Sequence, residues 1–140
     1  MAADEHGAFI ETFGQSTGCN TVTMNALACR VLTRVETRRP LRLIDVAGRG
    51  GLARIGADAR LCSGDRAIAR RWAQALRGHT ASPDGIHYPS RHDPSRAAAA
   101  LFDHAATALR AGSPTPRSAP KNPALLGRVL EDYGFALIEE

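Results

Sequence analysis

The sequence predicts an α+β fold organised as one domain over residues 1–140, and three observations carry this. The chain has 140 residues, 44% of them apolar, which suffices for one core and not for two. Residues 31–37 and 41–46 alternate as strands do. Residues 4–13, 65–77 and 124–133 place apolar side chains at helical spacing. Short strands interleaved with short helices, without an internal repeat, exclude a solenoid and a simple bundle.

The elements follow in chain order. Ala8, Phe9, Ile10 and Phe13 form one helix face, closed by Gly14. Residues 20–25 are polar and turn-like, with Thr23 placed to cap a helix through Arg30. In the first strand Val31, Thr33, Val35 and Thr37 oppose Leu32, Arg34 and Glu36; Arg39-Pro40 separates it from the second. The segment with Gly48, Gly50 and Gly51 invites comparison with a phosphate cradle. It lacks the third glycine of a dinucleotide fingerprint and the Lys-Ser/Thr of a P-loop, so it reads as a turn into a short helix ending at Gly56. The helix of 65–77 has Ser63 or Asp65 as its cap and Gly78 beyond its end. Its expected buried stripe is Ile68, Trp72, Ala75 and Leu76, with Arg66, Arg70, Arg71 and Gln74 facing water. Ser82-Pro83-Asp84-Gly85 is turn chemistry delivering an extended run, 86–88. Residues 97–103 suit a helix by alanine propensity and a buried strand by length and position. Residues 111–123 hold Pro114, Pro116, Pro120 and Pro123 and read as a mobile loop. A helix to Tyr133, a stop at Gly134 and a strand over 135–138 close the chain.

The net charge is +4, and Lys121 is the single lysine among 18 basic residues. The arginines are scattered, which argues against a nucleic-acid surface; such a surface would bind DNA in a salt-dependent way. Cys19, Cys29 and Cys62 form no C-x-x-C pair, and His6, His79 and His104 offer no paired ligand spacing with His87 and His92, so neither a disulfide framework nor a metal site is expected. The acidic start and the absence of a long apolar run suggest a soluble, cytoplasmic protein without a membrane segment.

The densest polar stretch, 85–96, follows the short strand that contains Tyr88. Ser90, His92 and Asp93 are the residue types of a catalytic triad. Near neighbours in sequence rarely converge in that geometry, and no G-x-S-x-G elbow is present, so the triad is rejected. The residues alone are equally explained by a turn in which Asp93 or Ser95 bonds its own backbone.

This stretch, Gly85-Ile86-His87-Tyr88-Pro89-Ser90-Arg91-His92-Asp93-Pro94-Ser95, with Ala100-Leu101-Phe102-Asp103 after it, strongly resembles the late motif of RES-domain proteins. Gly7-Ala8-Phe9-Ile10-Glu11-Thr12-Phe13-Gly14 resembles the family's glutamate helix. Arg39 to Val46, Leu61 to Asp65 and Leu130 to Phe135 are also similar, so the resemblance spans essentially the whole chain.

The resemblance implies an ADP-ribosyltransferase-like mixed sheet, with residues 97–103 as a core strand. It implies a toxin of a toxin–antitoxin pair, neutralised by an Xre-type antitoxin, that cleaves the nicotinamide–ribose bond of NAD. ADP-ribose then passes to phosphate (an NAD phosphorylase), to water (a glycohydrolase) or to a protein. NAD and phosphate enter as substrates, and no resident cofactor is implied. Glu11 matches the carboxylate that stabilises the developing oxocarbenium ion, and Ser90 matches the family's serine. Tyr88 and Arg91 are further candidates for holding NAD, Arg91 through its planar fork. The family's substrate-binding arginine and an aromatic residue lie upstream of the glutamate. Only ten residues precede Glu11 here, with neither Arg nor Tyr among them. The expectation is therefore a domain lacking its first strands, with an exposed sheet edge prone to homo-oligomer formation. The alternative function is a catalytically inactive remnant that binds an antitoxin or a second polypeptide.

Overall fold

A computed structural model of the chain describes residues 1–16, 18–116 and 122–139. Its architecture is mixed α+β, with short helices and three small sheets.

Helix α1 (Glu5–Phe13) begins where Asp4 accepts a hydrogen bond from the Gly7 amide at 2.7 Å, and Glu5 complements the positive end of the helix dipole. It stops at Gly14, where a Cβ would stand 2.6 Å from the Ile10 carbonyl oxygen. Strand β1 (Thr21–Thr23) lies in the segment expected to be turn-like, and its last residue caps helix α2 (Met24–Ala28) through the Ala26 amide. Helix α2 ends two residues before the expected Arg30. At the far end of the chain, helix α6 (Pro123–Tyr133) ends at Gly134 with φ 61°, and strand β7 (Ala136–Ile138) pairs in parallel with β1.

These elements hold the main core. Phe9, Ile10, Val22, Leu27, Val129 and Phe135 are buried together. Phe9 meets Phe135 edge-on at 5.3 Å between ring centroids, a favoured aromatic geometry.

The two expected central strands go to different sheets. Strand β2 (Val31–Thr37) pairs antiparallel with β6 (Leu109–Pro116), while β3 (Leu43–Asp45) joins β4 (Gly85–Pro89) and β5 (Ala97–Leu101) in the order β3-β4-β5. Residues 111–116 are thus strand rather than loop; residues 117–121 of the expected loop lie outside the described residues. Pro114 is accommodated because the two-stranded sheet leaves β6 an open side and its register shifts between Thr33 and Val35. The alanine run is strand β5, as the resemblance implied. Its pairing with β4 and the burial of Ala98 override helix propensity. The outer side of β5 carries residues 1–3. Ala2 bridges to Ala98, the Ala3 amide donates to Ala97 and the Ala99 amide to Met1.

The glycine-rich turn is organised by Asp45 at the end of β3. Its Oδ1 accepts from the amides of Ala47 and Gly48, and a Cβ at Gly48 would lie 2.2 Å from Oδ2. Short helices α3 (Gly51–Arg54) and α4 (Arg60–Ser63) lead to α5 (Arg66–Arg77), capped by Asp65 as expected. The buried stripe on α5 needs correction. None of its residues is buried, Ile68 is 52% exposed, Ala75 is exposed, and Trp72 and Leu76 are half-buried. The helix meets an open cleft rather than a closed core, so amphipathic spacing does not translate into burial.

Candidate functional site

Glu11 projects from α1 and Ser90 follows β4, and the fold brings together these residues 79 positions apart. The Ser90 hydroxyl donates to Glu11 Oε1 at 2.6 Å. Ser90 is 2% exposed, and its Oγ also accepts from the amides of His92 (3.3 Å) and Asp93 (3.2 Å). The turn closes when the Ser90 amide donates to the Arg96 carbonyl at 2.7 Å. This is a serine-capped turn, with Ser95 bonding Asp93 Oδ1, and His92 approaches Ser90 through its backbone rather than its ring.

A second layer locks the turn to the glutamate helix. Asp93 Oδ2 accepts from the Tyr133 hydroxyl at 2.9 Å and from Arg96 Nε at 3.1 Å. Arg96 Nη1 then donates to Asp4 Oδ2 at 2.6 Å, and Asp4 is the N-cap of α1. One chain of charge-assisted bonds therefore joins the serine turn, α6 and the start of α1. The Ser95 hydroxyl, with help from Tyr133, holds the Asp93 carboxyl below the usual carboxylate range against the opposing effect of burial. Burial pushes Asp4 upward, but the Gly7 amide and Arg96 outweigh it and leave Asp4 lowered. Burial, then the Asp93 bond, pushes the Tyr133 phenol up to about 12, so it remains a donor.

Glu11 and Tyr88 stand between two clefts and line both. The larger, about 850 Å³, lies between residues 1–5, β2 and α6. The smaller, about 380 Å³, opens towards α5, with Trp72 and Leu76 on its wall. Tyr88 is half-buried, and burial followed by the Glu11 charge raises its pKa. Arg91 is exposed and lines the smaller cleft. Glu11, Tyr88 and Arg91 thus share a cleft, while Ser90 sits behind Glu11 and lines neither. Sequence reasoning did not single out Tyr133, Asp4 or Arg96. Their roles come from contacts across 40 and 92 positions, for which the local pattern holds no signal. Among the described residues, no group of three His, Cys, Asp or Glu side chains is arranged to hold a metal ion. No helix among them is long and apolar enough to cross a membrane.

No solved structure gives a significant match to this fold. A protein of Sinorhizobium fredii (strain NBRC 101917 / NGR234) named "Probable toxin y4kH" is 32% identical over 105 residues, covering 74% of this chain and 80% of that protein. The RES domain matches residues 1–120, starting from the first residue, so it lends no support to a domain short of its initial strands. With most of its length matched, and with the glutamate helix and serine turn inside that span, the chain belongs to the RES-domain family.

Proposed function

We propose that this protein is a toxin that consumes NAD by cleaving the bond between nicotinamide and ribose. The observation that carries the reading is the 2.6 Å hydrogen bond from Ser90 to Glu11 at the boundary of two clefts. The family membership and the toxin name of the S. fredii relative support it. The reading includes an ADP-ribosyltransferase-like arrangement of the sheets and neutralisation by an Xre-type antitoxin.

The chemistry suits these side chains. The pyridinium nitrogen of NAD is cationic, so the C1′–N bond breaks with its electron pair passing to the ring. Nicotinamide leaves neutral without a general acid, and positive charge develops on the ribose. The Glu11 carboxylate stabilises that charge. Ser90 acts as a positioning residue: its hydroxyl fixes one carboxylate oxygen, and its own geometry is fixed by two amides. A phosphate or water oxygen then bonds to C1′, and when water attacks its proton passes to solvent. Tyr88 and Arg91 hold the dinucleotide at the cleft wall.

Incubation of the purified protein with NAD is expected to release nicotinamide, faster with phosphate if phosphate is the acceptor. Glu11→Gln is expected to lower kcat roughly 100-fold while leaving the fold intact. Release by wild type no faster than by the variant would overturn the reading. The same pair tested by expression in bacteria should separate growth arrest from tolerance.

A further inference from the structure

Five of the described arginines pair with carboxylates: Arg34 with Glu36, Arg39 with Asp84, Arg60 with Asp58, Arg77 with Asp103, and Arg96 with Asp4 and Asp93. Of the described arginines that make no ion pair, Arg66, Arg70 and Arg91 are the three that line the smaller cleft. Arg66 and Arg70 are one helical turn apart on α5, and Arg91 approaches from the turn after β4. Among the described residues, the only carboxylate on that wall is Glu11, which Ser90 already engages. Three unneutralised guanidinium groups around one cleft repel each other, and an anion entering it relieves that repulsion. Trp72 and Tyr88 add aromatic faces to the same wall, and the volume of about 380 Å³ lies within the range of small-molecule sites.

We infer that Arg66 and Arg70, with Arg91, form an anion site for phosphoryl oxygens beside Glu11. This deepens the NAD reading and rests on it for the identity of the substrate. It assigns to α5 the pyrophosphate grip that the resemblance expects from an arginine upstream of the glutamate. Guanidinium forks suit this task because each offers two parallel N–H donors to a phosphate.

The test compares Arg66→Gln/Arg70→Gln with Arg71→Gln, a charge-matched change on the same helix at a residue that does not line the cleft. Calorimetry with ADP-ribose and, separately, with inorganic phosphate reads binding without requiring turnover. The double variant is expected to weaken ADP-ribose binding roughly tenfold or more, and to raise KM for NAD by a similar factor with kcat within about twofold. Arg71→Gln should leave both unchanged. Weakening confined to inorganic phosphate also supports the anion site, and assigns it to the phosphate acceptor rather than to the dinucleotide. Equal behaviour of the double variant and Arg71→Gln towards both probes would overturn the proposal. Tight ADP-ribose binding lost in the double variant, with no nicotinamide released by wild type, would keep the anion site and overturn the NAD-cleavage reading instead.

Discussion

The helical end of the molecule and the β3-β4-β5 sheet with α5 are stabilised by different physics. Around α1, α2 and α6 the protein is held by apolar burial: Leu27 is fully buried, and Phe9 and Val129 are 3% exposed. The sheet has little comparable packing, since α5 contributes no buried residue. It is held instead by polar attachment. Asp84, 4% exposed, accepts hydrogen bonds from Nη1 and Nη2 of Arg39 at 2.8 and 2.7 Å and from the Arg42 amide at 2.8 Å. The contrast suits the proposed function. Glu11 belongs to the packed end and is held rigidly, whereas the arginines proposed to meet substrate stand on the open side.

The largest break in this contrast is expected from Leu27→Ala, which should cost about 2–5 kcal/mol in chemical denaturation. Ile68→Ala on α5 should stay within about 0.5 kcal/mol. Equal losses would remove the distinction between the two regions. Asp84→Asn should lower Tm by roughly 5 °C or more through lost ion pairing. Its pH signature has a definite sign. Arg39 first, then the Arg42 amide, depress the Asp84 pKa far below its unfolded value of about 3.9. Its stabilisation is therefore complete above that value and is lost as pH falls below it. In wild type, stability should decline below about pH 4, and Asp84→Asn should flatten that acid limb.

Two smaller effects sharpen the comparison at the site. Ser90→Ala should reduce kcat for nicotinamide release roughly tenfold with little change in KM, because it frees Glu11 rather than removing a substrate contact. A change in KM alone would assign Ser90 to substrate binding instead. Tyr133→Phe should cost about 1 kcal/mol through the lost hydrogen bond to Asp93. The folded Tyr133 pKa of about 12 lies above the unfolded value of about 10, so its contribution is intact below about pH 10 and lost as pH rises towards 12. The variant should flatten that alkaline limb, leaving the slope due to Tyr88, whose pKa is also raised.

What could be read from the residues was local. Caps at Thr23 and Asp65 and the stops at Gly14 and Gly134 depend on bonds within a few positions, and the structure has them where the pattern puts them. The prolines of 111–116 misled for the same reason. Local propensity names them loop formers, but an edge strand with a register shift tolerates them once β2 supplies the pairing. The alanine run shows the reverse: helix-forming residues become a strand because β4 and residues 1–3 lie on either side of it. On α5 the apolar spacing was real, yet spacing cannot show whether a neighbour arrives to cover it.

The sequence by itself determined the α+β class, most helix ends and the family, because capping, periodicity and motif identity are written in neighbouring residues. Only the tertiary structure decided which strands share a sheet, that Ser90 turns inward to hold Glu11, and that the unpaired arginines of α5 share a cleft with Arg91. Those outcomes depend on contacts between segments tens of residues apart. Their energies are set by burial and charge neutralisation in the assembled fold, which no local pattern encodes.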